Sequence, residues 1–188
     1  MTSLILIGPP GAGKGTQATL IAERYSIPHI STGAIFRANL AEGTELGVEA
    51  QKYMERGEYV PDSLTNSMVG NRLAQPDTAN GFLLDGYPRT LAQVDELDAI
   101  LADLGKTLDA VVEITADVEE VTQRLLARAA KEGRADDTED VIRRRMVVYA
   151  EQTEPIIAVY TERGLVRKAD GMGTIDEVHA RIVAVLGG

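Results

Sequence analysis

The 188-residue chain contains no cysteine, which excludes disulfides and cysteine-based zinc sites and leaves thiol oxidation silent about its compartment. Aromatic residues are scarce, at 4%, so aliphatic side chains must do most of the packing; a hydrophobic fraction of 44% is enough for one sizeable core. Positive charge is in deficit, with 19 Lys and Arg against 29 Asp and Glu and a net charge of -10. Non-specific binding to nucleic acid or to an anionic membrane needs the opposite balance, so neither is expected as a partner. A phosphate ligand is still allowed, because it responds to a local cluster of charge and not to the total. Long hydrophobic runs are missing as well. The apolar stretch Leu4 to Ile7 is too short for a signal peptide or a membrane span and no basic segment precedes it, so a cytoplasmic location is the expectation.

What is present is an alternation. Short apolar runs at Leu4 to Ile7, Phe82 to Leu84, Ala110 to Ile114 and, more weakly, Leu165 to Ala169 read as strands, and Ile27 to Ile30 adds a fifth. Runs that are apolar on both faces suit parallel strands covered by helices on each side. Between them lie helical stretches: Lys14 to Tyr25, Pro61 to Leu73, Leu91 to Leu104, Val118 to Ala129, Glu139 to Glu162 and Ile175 to Leu186. Leu91, Val94, Leu97, Leu101 and Leu104 recur at helical spacing, and Pro61 suits a first helical turn. The pattern predicts one α/β domain, a doubly wound parallel five-stranded sheet flanked by helices. Two segments fit it poorly. Residues 31 to about 60 hold short helical pieces broken by glycines, and residues 128 to 137 are charged and turn-like. Such excursions from a sheet often carry function.

The sharpest motif follows the first strand. In Gly8-Pro9-Pro10-Gly11-Ala12-Gly13-Lys14-Gly15-Thr16, glycines let backbone N–H groups converge on phosphate oxygens. The helix that follows adds its positive end, and Lys14 can reach the β- and γ-phosphates. In the general pattern Ser or Thr directly follows the lysine; here Gly15 does, and Thr16 comes next.

This loop, with Gln17, resembles the phosphate loop of the adenylate kinase family, which shares the Lys-Gly-Thr variant. Further motifs are similar to that family's in the same order along almost the whole chain: Ile30-Ser31-Thr32-Gly33 with Arg37, Asp85-Gly86-Tyr87-Pro88-Arg89 with Gln93, Arg134-Ala135-Asp136-Asp137, and Arg143-Arg144-Arg145-Met146. The resemblance implies the reaction ATP + AMP ⇌ 2 ADP with magnesium, and a monomer. It implies a core of residues 1–30, 61–126 and 138–188, a helical subdomain for the nucleoside monophosphate at 31–60, and a lid at 127–137. The lid is short, and without cysteines no zinc is expected in it.

Residue by residue, the resemblance places Gly11 to Thr16 on the ATP phosphates and Arg37 and Arg89 on the AMP phosphate. Arg128, Arg134 and Arg145 flank the transferring group, Arg128 on the ATP side; Arg124, Arg143 and Arg144 are neighbours that leave the register open. Thr32 and Gln93 meet the adenine of AMP, with Glu58, Tyr59, Val60, Gly86, Tyr87 and Pro88 lining the same pocket. Thr32 with Gln93 favours AMP, since related UMP/CMP kinases carry a smaller residue and an asparagine there. Gly173 passes beneath the ATP adenine, or is a simple turn. Asp85 orders magnesium through water, or caps a helix. Asp136 and Asp137 pair with basic residues on lid closure or cap the next helix. His29 and His179 match no motif and are expected to be structural and exposed, respectively.

Other readings compete with an adenylate kinase: a kinase for UMP or CMP, a P-loop nucleotide-binding module without turnover, and a small-metabolite kinase. No Asn-Lys-x-Asp guanine signature is present, and the acceptor-side arginines have no purpose in a module that does not turn over.

Overall fold

The computed structural model describes residues 2–132 and 138–187, with side chains to residue 129 in the first stretch. The expected roles of Arg134, Asp136 and Asp137 lie outside the described residues. Strands β1 (Thr2–Ile7), β2 (His29–Ser31), β3 (Gly81–Asp85), β4 (Ala110–Thr115) and β5 (Val166–Asp170) form one sheet in the order β2-β3-β1-β4-β5. Every pairing is parallel. The helices among the described residues are α1 (Lys14–Tyr25), α2 (Thr32–Ala41), α3 (Glu45–Met54), α4 (Asp62–Leu73), α5 (Leu91–Asp103), α6 (Val118–Glu132), α7 (Glu139–Val148), α8 (Glu154–Glu162) and α9 (Ile175–Leu186).

Period-two alternation in β1 splits the core. Ile5 and Ile7 face one side, where they meet Leu84, Val94, Leu97, Ile156 and Tyr160. Leu4 and Leu6 face the other, among Ala18, Ile21, Leu83, Val112 and Ile182. Both faces are apolar because both are covered, as a parallel sheet requires. Each buried leucine or isoleucine contributes about 1.5–3 kcal/mol of transfer free energy, so β1 is the mechanical centre of the molecule. It is also where strand order reverses: β3 and β2 lie to one side, β4 and β5 to the other. In open parallel sheets the crevice at the carboxyl ends of strands beside such a reversal is where ligands bind. The loop Gly8 to Gly13 leaves β1 there.

Two expected elements shift. The strand expected at Ile27 to Ile30 runs from His29 to Ser31 instead. Pro28 has no N–H to donate, and the Ile27 N–H closes the end of α1 on Ala22 O. The single helix expected from Glu139 to Glu162 is two, joined by one π-turn at Tyr149–Thr153. Pro155 cannot donate to the carbonyl four residues earlier and its ring crowds that group, so the ladder changes register ahead of it. Residues 31 to 60 form α2 and α3, which close on a small core of their own around Phe36, Ala50 and Val60. The segment expected to open a lid at residue 127 starts inside α6, which runs on to Glu132.

Candidate active site

The loop after β1 has the geometry an anion needs. Gly11 has φ 84°, and a Cβ there would stand 2.7 Å from Val121 O and 2.9 Å from Leu125 Cγ, so glycine is required on both counts. The N-terminus of α1 is closed by Gly13 with no side-chain hydrogen bond. Helices α2, α3, α5 and α9 differ, each capped by a serine or threonine: Ser31, Thr44, Thr90 and Thr174. The first N–H groups of α1 thus retain their donors for a ligand. Lys14 Nζ meanwhile donates to the loop carbonyls of Gly8 at 2.7 Å and Pro9 at 2.9 Å.

A cleft of about 490 Å³ opens over this loop. Gly11 and Gly13 line it from the loop, Lys14, Gly15 and Thr16 from α1, Asp85 from the end of β3, Pro88 and Arg89 from the segment after it, Arg128 from α6, Arg145 from α7 and Arg37 from α2. Six cationic side chains, these five and Arg124 of α6, therefore share one cavity in an acidic protein. Burial lowers the Lys14 ammonium from its ordinary 10.5 to about 8; Asp85 opposes the fall, while Arg89, Arg145 and Arg128 add to it. Asp85 is buried, with 8% of its surface exposed. Burial works to raise its carboxyl, but the His29 hydrogen bond, Lys14 and Arg89 outweigh burial and hold it below the ordinary value. Helical phase points the neighbouring arginines of α7 in different directions. Arg143 turns outward to Glu139 at 2.6 Å, Arg144 is exposed, and Arg145 faces the cleft. Arg124 reaches Gly171 O at 3.3 Å and Glu120 at 2.6 Å on the cleft wall.

A smaller cleft of about 50 Å³ adjoins the first and is lined by Thr32, Phe36, Glu58, Tyr59, Val60, Gly86, Arg89 and Gln93, among others. Gly86 joins the two. Its φ is 81°, and a Cβ would meet Arg89 Nη2 at 2.7 Å and Thr32 Oγ1 at 2.9 Å. Its carbonyl accepts from Thr32 Oγ1 at 2.9 Å and from Arg89 Nε at 2.6 Å, which ties Arg89 to the small cleft. The Arg89 guanidinium also lies over the Tyr59 ring, 4.9 Å from its centre. Gln93 is buried, with 2% exposed.

Three expected residues fall away from the lining. Tyr87 is in the core, fully buried, its hydroxyl donating to Asn66 Oδ1 at 2.8 Å. The Ala12 side chain packs under the loop at 2% exposure. Gly173 lines neither cleft; at φ 109° it turns the chain before α9, where a Cβ would stand 2.6 Å from Glu177 Oε2. Two residues enter that motif reading passed over. His29 Nε2 is 3.3 Å from Asp85 Oδ2 and lines the large cleft. Thr153, in the π-turn, donates to Arg89 O at 2.9 Å and lies 2.6 Å from the Tyr59 hydroxyl. The only local signals were the parity of β2, which registers Ser31 with Asp85, and the proline two residues after Thr153.

An uncapped helix after a glycine loop at the sheet's reversal point, with a lysine and converging arginines, defines a P-loop phosphate-binding α/β protein. Comparison with known proteins narrows the class. A family model described as Adenylate kinase matches residues 6–165. A protein named Adenylate kinase from Nocardioides sp. is 63% identical over 183 residues, 97% of this chain and 96% of the relative. Those of Kocuria rhizophila and Thermobifida fusca, with the same name, are 59% identical over 186 residues (99% of each chain) and 56% identical over 183 (97% of each). The chain belongs to the adenylate kinase family. No helix among the described residues is long and apolar enough to cross a membrane, and no group of three or more His, Asp or Glu among them could hold a metal ion.

Proposed function

We propose that the protein is a phosphotransferase that moves the γ-phosphoryl group of ATP to AMP, reversibly, giving two ADP. One observation carries the reading: Lys14, Arg37, Arg89, Arg128 and Arg145 share a single cleft that opens at Gly86 into a smaller one holding Thr32 and Gln93. Phosphoryl transfer asks a protein to align donor and acceptor, stabilise charge on the moving group and keep water away. Lys14 leaves the loop carbonyls for the β- and γ-phosphates while the N–H groups of Gly11 to Thr16 hold the rest of the ATP phosphates. Arg37 and Arg89 take the AMP phosphate, and Arg128, Arg145 and Arg134 surround the transferring group, where guanidiniums stay charged and grip bidentately. Thr32, Gln93 and the backbone of Glu58 to Val60 receive the AMP base. Residues 31–60 act as a mobile acceptor subdomain and 127–137 as a lid over a core of 1–30, 61–126 and 138–188; Gly173 bounds the ATP adenine.

The donor set suits magnesium carried by ATP. Asp85 is a buried carboxylate kept ionised beside the phosphate loop, and a cation that retains its waters and phosphate ligands needs only one or two carboxylates. Bound magnesium would supply positive charge against the phosphates, and Asp85 would hold it through water. The proposed setting is cytoplasmic, with nucleotides as the only partners the reaction needs. Product counting tests it. Incubation with magnesium, ATP and AMP should give two ADP per ATP and no inorganic phosphate. One ADP with one phosphate would make the protein a hydrolase, and no product would make it a binding module.

A further inference from the structure

The amide of Gln93 is wired before any ligand arrives. Its Oε1 accepts from the Arg89 backbone N–H at 2.7 Å, and its Nε2 donates to Asp62 Oδ1 at 2.7 Å. The second oxygen of Asp62 accepts from the Thr90 hydroxyl at 3.4 Å, and that hydroxyl accepts from the Gln93 backbone N–H at 3.2 Å. The direction of each bond follows from chemistry. A backbone N–H can only donate and an ionised carboxylate can only accept, so the amide has one permitted orientation.

We propose that Asp62, on the first turn of α4, is a specificity-determining positioning residue: it holds the Gln93 amide in the orientation that accepts a 6-amino purine and refuses a 6-oxo purine. The proposal rests on the reading that Gln93 meets the base. With one Nε2 hydrogen given to Asp62 and one Oε1 lone pair given to Arg89, the amide keeps one donor and one acceptor. Adenine offers their complement, an acceptor at N1 and a donor at N6. A 6-oxo purine offers the reverse, a donor at N1 and an acceptor at O6, and would need the amide turned over. Turning it would set Oε1 against the Asp62 carboxylate and Nε2 against the Arg89 N–H, like against like at both ends. Leaving buried polar groups mispaired is the strongest form of discrimination a small pocket has. Asp62 thus chooses the base without touching it.

The test compares kcat/KM for AMP and for inosine monophosphate, which differ at the N1 and N6 edge, in the wild-type protein and in Asp62→Asn and Gln93→Ala. Asparagine can present a donor or an acceptor to the amide, so it removes the bias without emptying the position. The AMP:IMP ratio should fall about tenfold in Asp62→Asn, about 1.4 kcal/mol of discrimination, with KM for ATP unchanged. Gln93→Ala should lower the ratio as well. A residue that merely starts a helix would lower the melting temperature and leave the ratio alone. An unchanged ratio in Asp62→Asn with a lowered one in Gln93→Ala overturns the role of Asp62 and spares the base reading. An unchanged ratio in Gln93→Ala overturns both. Should Asp62→Asn not fold, Asp62→Glu keeps the charge but moves the carboxylate, and it is read the same way.

Discussion

The phosphate end and the base end of the site meet at Gly86, yet they are built on opposite plans. The phosphate end gathers positive charge. Its helix is uncapped, its lysine rests on two loop carbonyls, and burial, with the neighbouring arginines adding to it, lowers Lys14 to about 8. The base end is kept satisfied, with Thr32, Gln93, Asp62 and Thr90 all hydrogen-bonded within the protein. Crowded positive charge attracts any nucleotide phosphate and stabilises charge on a moving one, but it cannot tell bases apart. A pre-paired amide adds little attraction and discriminates sharply. Rate and choice are therefore separable, and variants should separate them.

The largest effect is expected at Lys14. Lys14→Met should keep the fold and lower kcat by about 10²–10³ or more, since a charge aimed at the transition state is removed. The AMP:IMP preference in binding should survive, which calorimetric titration of the variant would check. Gln93→Ala should do the reverse. It should lower kcat/KM for AMP by one to two orders of magnitude, the roughly 1–3 kcal/mol of a bidentate base contact, with KM for ATP little changed. Equal losses for both nucleotides would place Gln93 outside base readout.

A pH profile sharpens the contrast. Lys14 has a folded pKa below its unfolded value, so the free enzyme loses this charge as pH rises through about 8. The kcat/KM for ATP should then decline above pH 8, about tenfold per unit. Bound phosphates favour the ammonium, so the limb in kcat should lie higher. Coincident limbs would mean that Lys14 does not meet the phosphates. The smallest effect is expected at Tyr59→Phe. Loss of the hydroxyl contact to Thr153 should cost about 1 kcal/mol of stability, seen in urea unfolding, and leave base choice intact.

How much was legible in the chain divides along the same line. The phosphate end is written locally: the glycine loop, Lys14 and the helix after it are contiguous, and β1 alternates plainly between two faces of the sheet. Helical phase alone turns Arg145 inward and Arg143 outward. The base end depends on distant partners. Gln93 meets Asp62 across 31 residues, and the phosphate cleft has distant pairs of its own, His29 with Asp85 across 56 and Thr153 with Arg89 across 64. No periodicity announces such pairs, and Asp62 reads in isolation as an acidic first-turn residue. Tyr87 was expected among the residues lining the base pocket, and its ring lies in the core. The π-turn at 149–153 was hidden because Pro155 near a helix start and Pro155 inside a longer helix look alike in sequence.

The most direct test of the whole account is ADP formation from magnesium and ATP with AMP, CMP, UMP or GMP as acceptor under identical conditions. The account predicts turnover with AMP and, for each other acceptor, kcat/KM lower by at least about tenfold, the worth of one mispaired base edge. Faster turnover of a pyrimidine nucleotide, or equal turnover of all four, would contradict it.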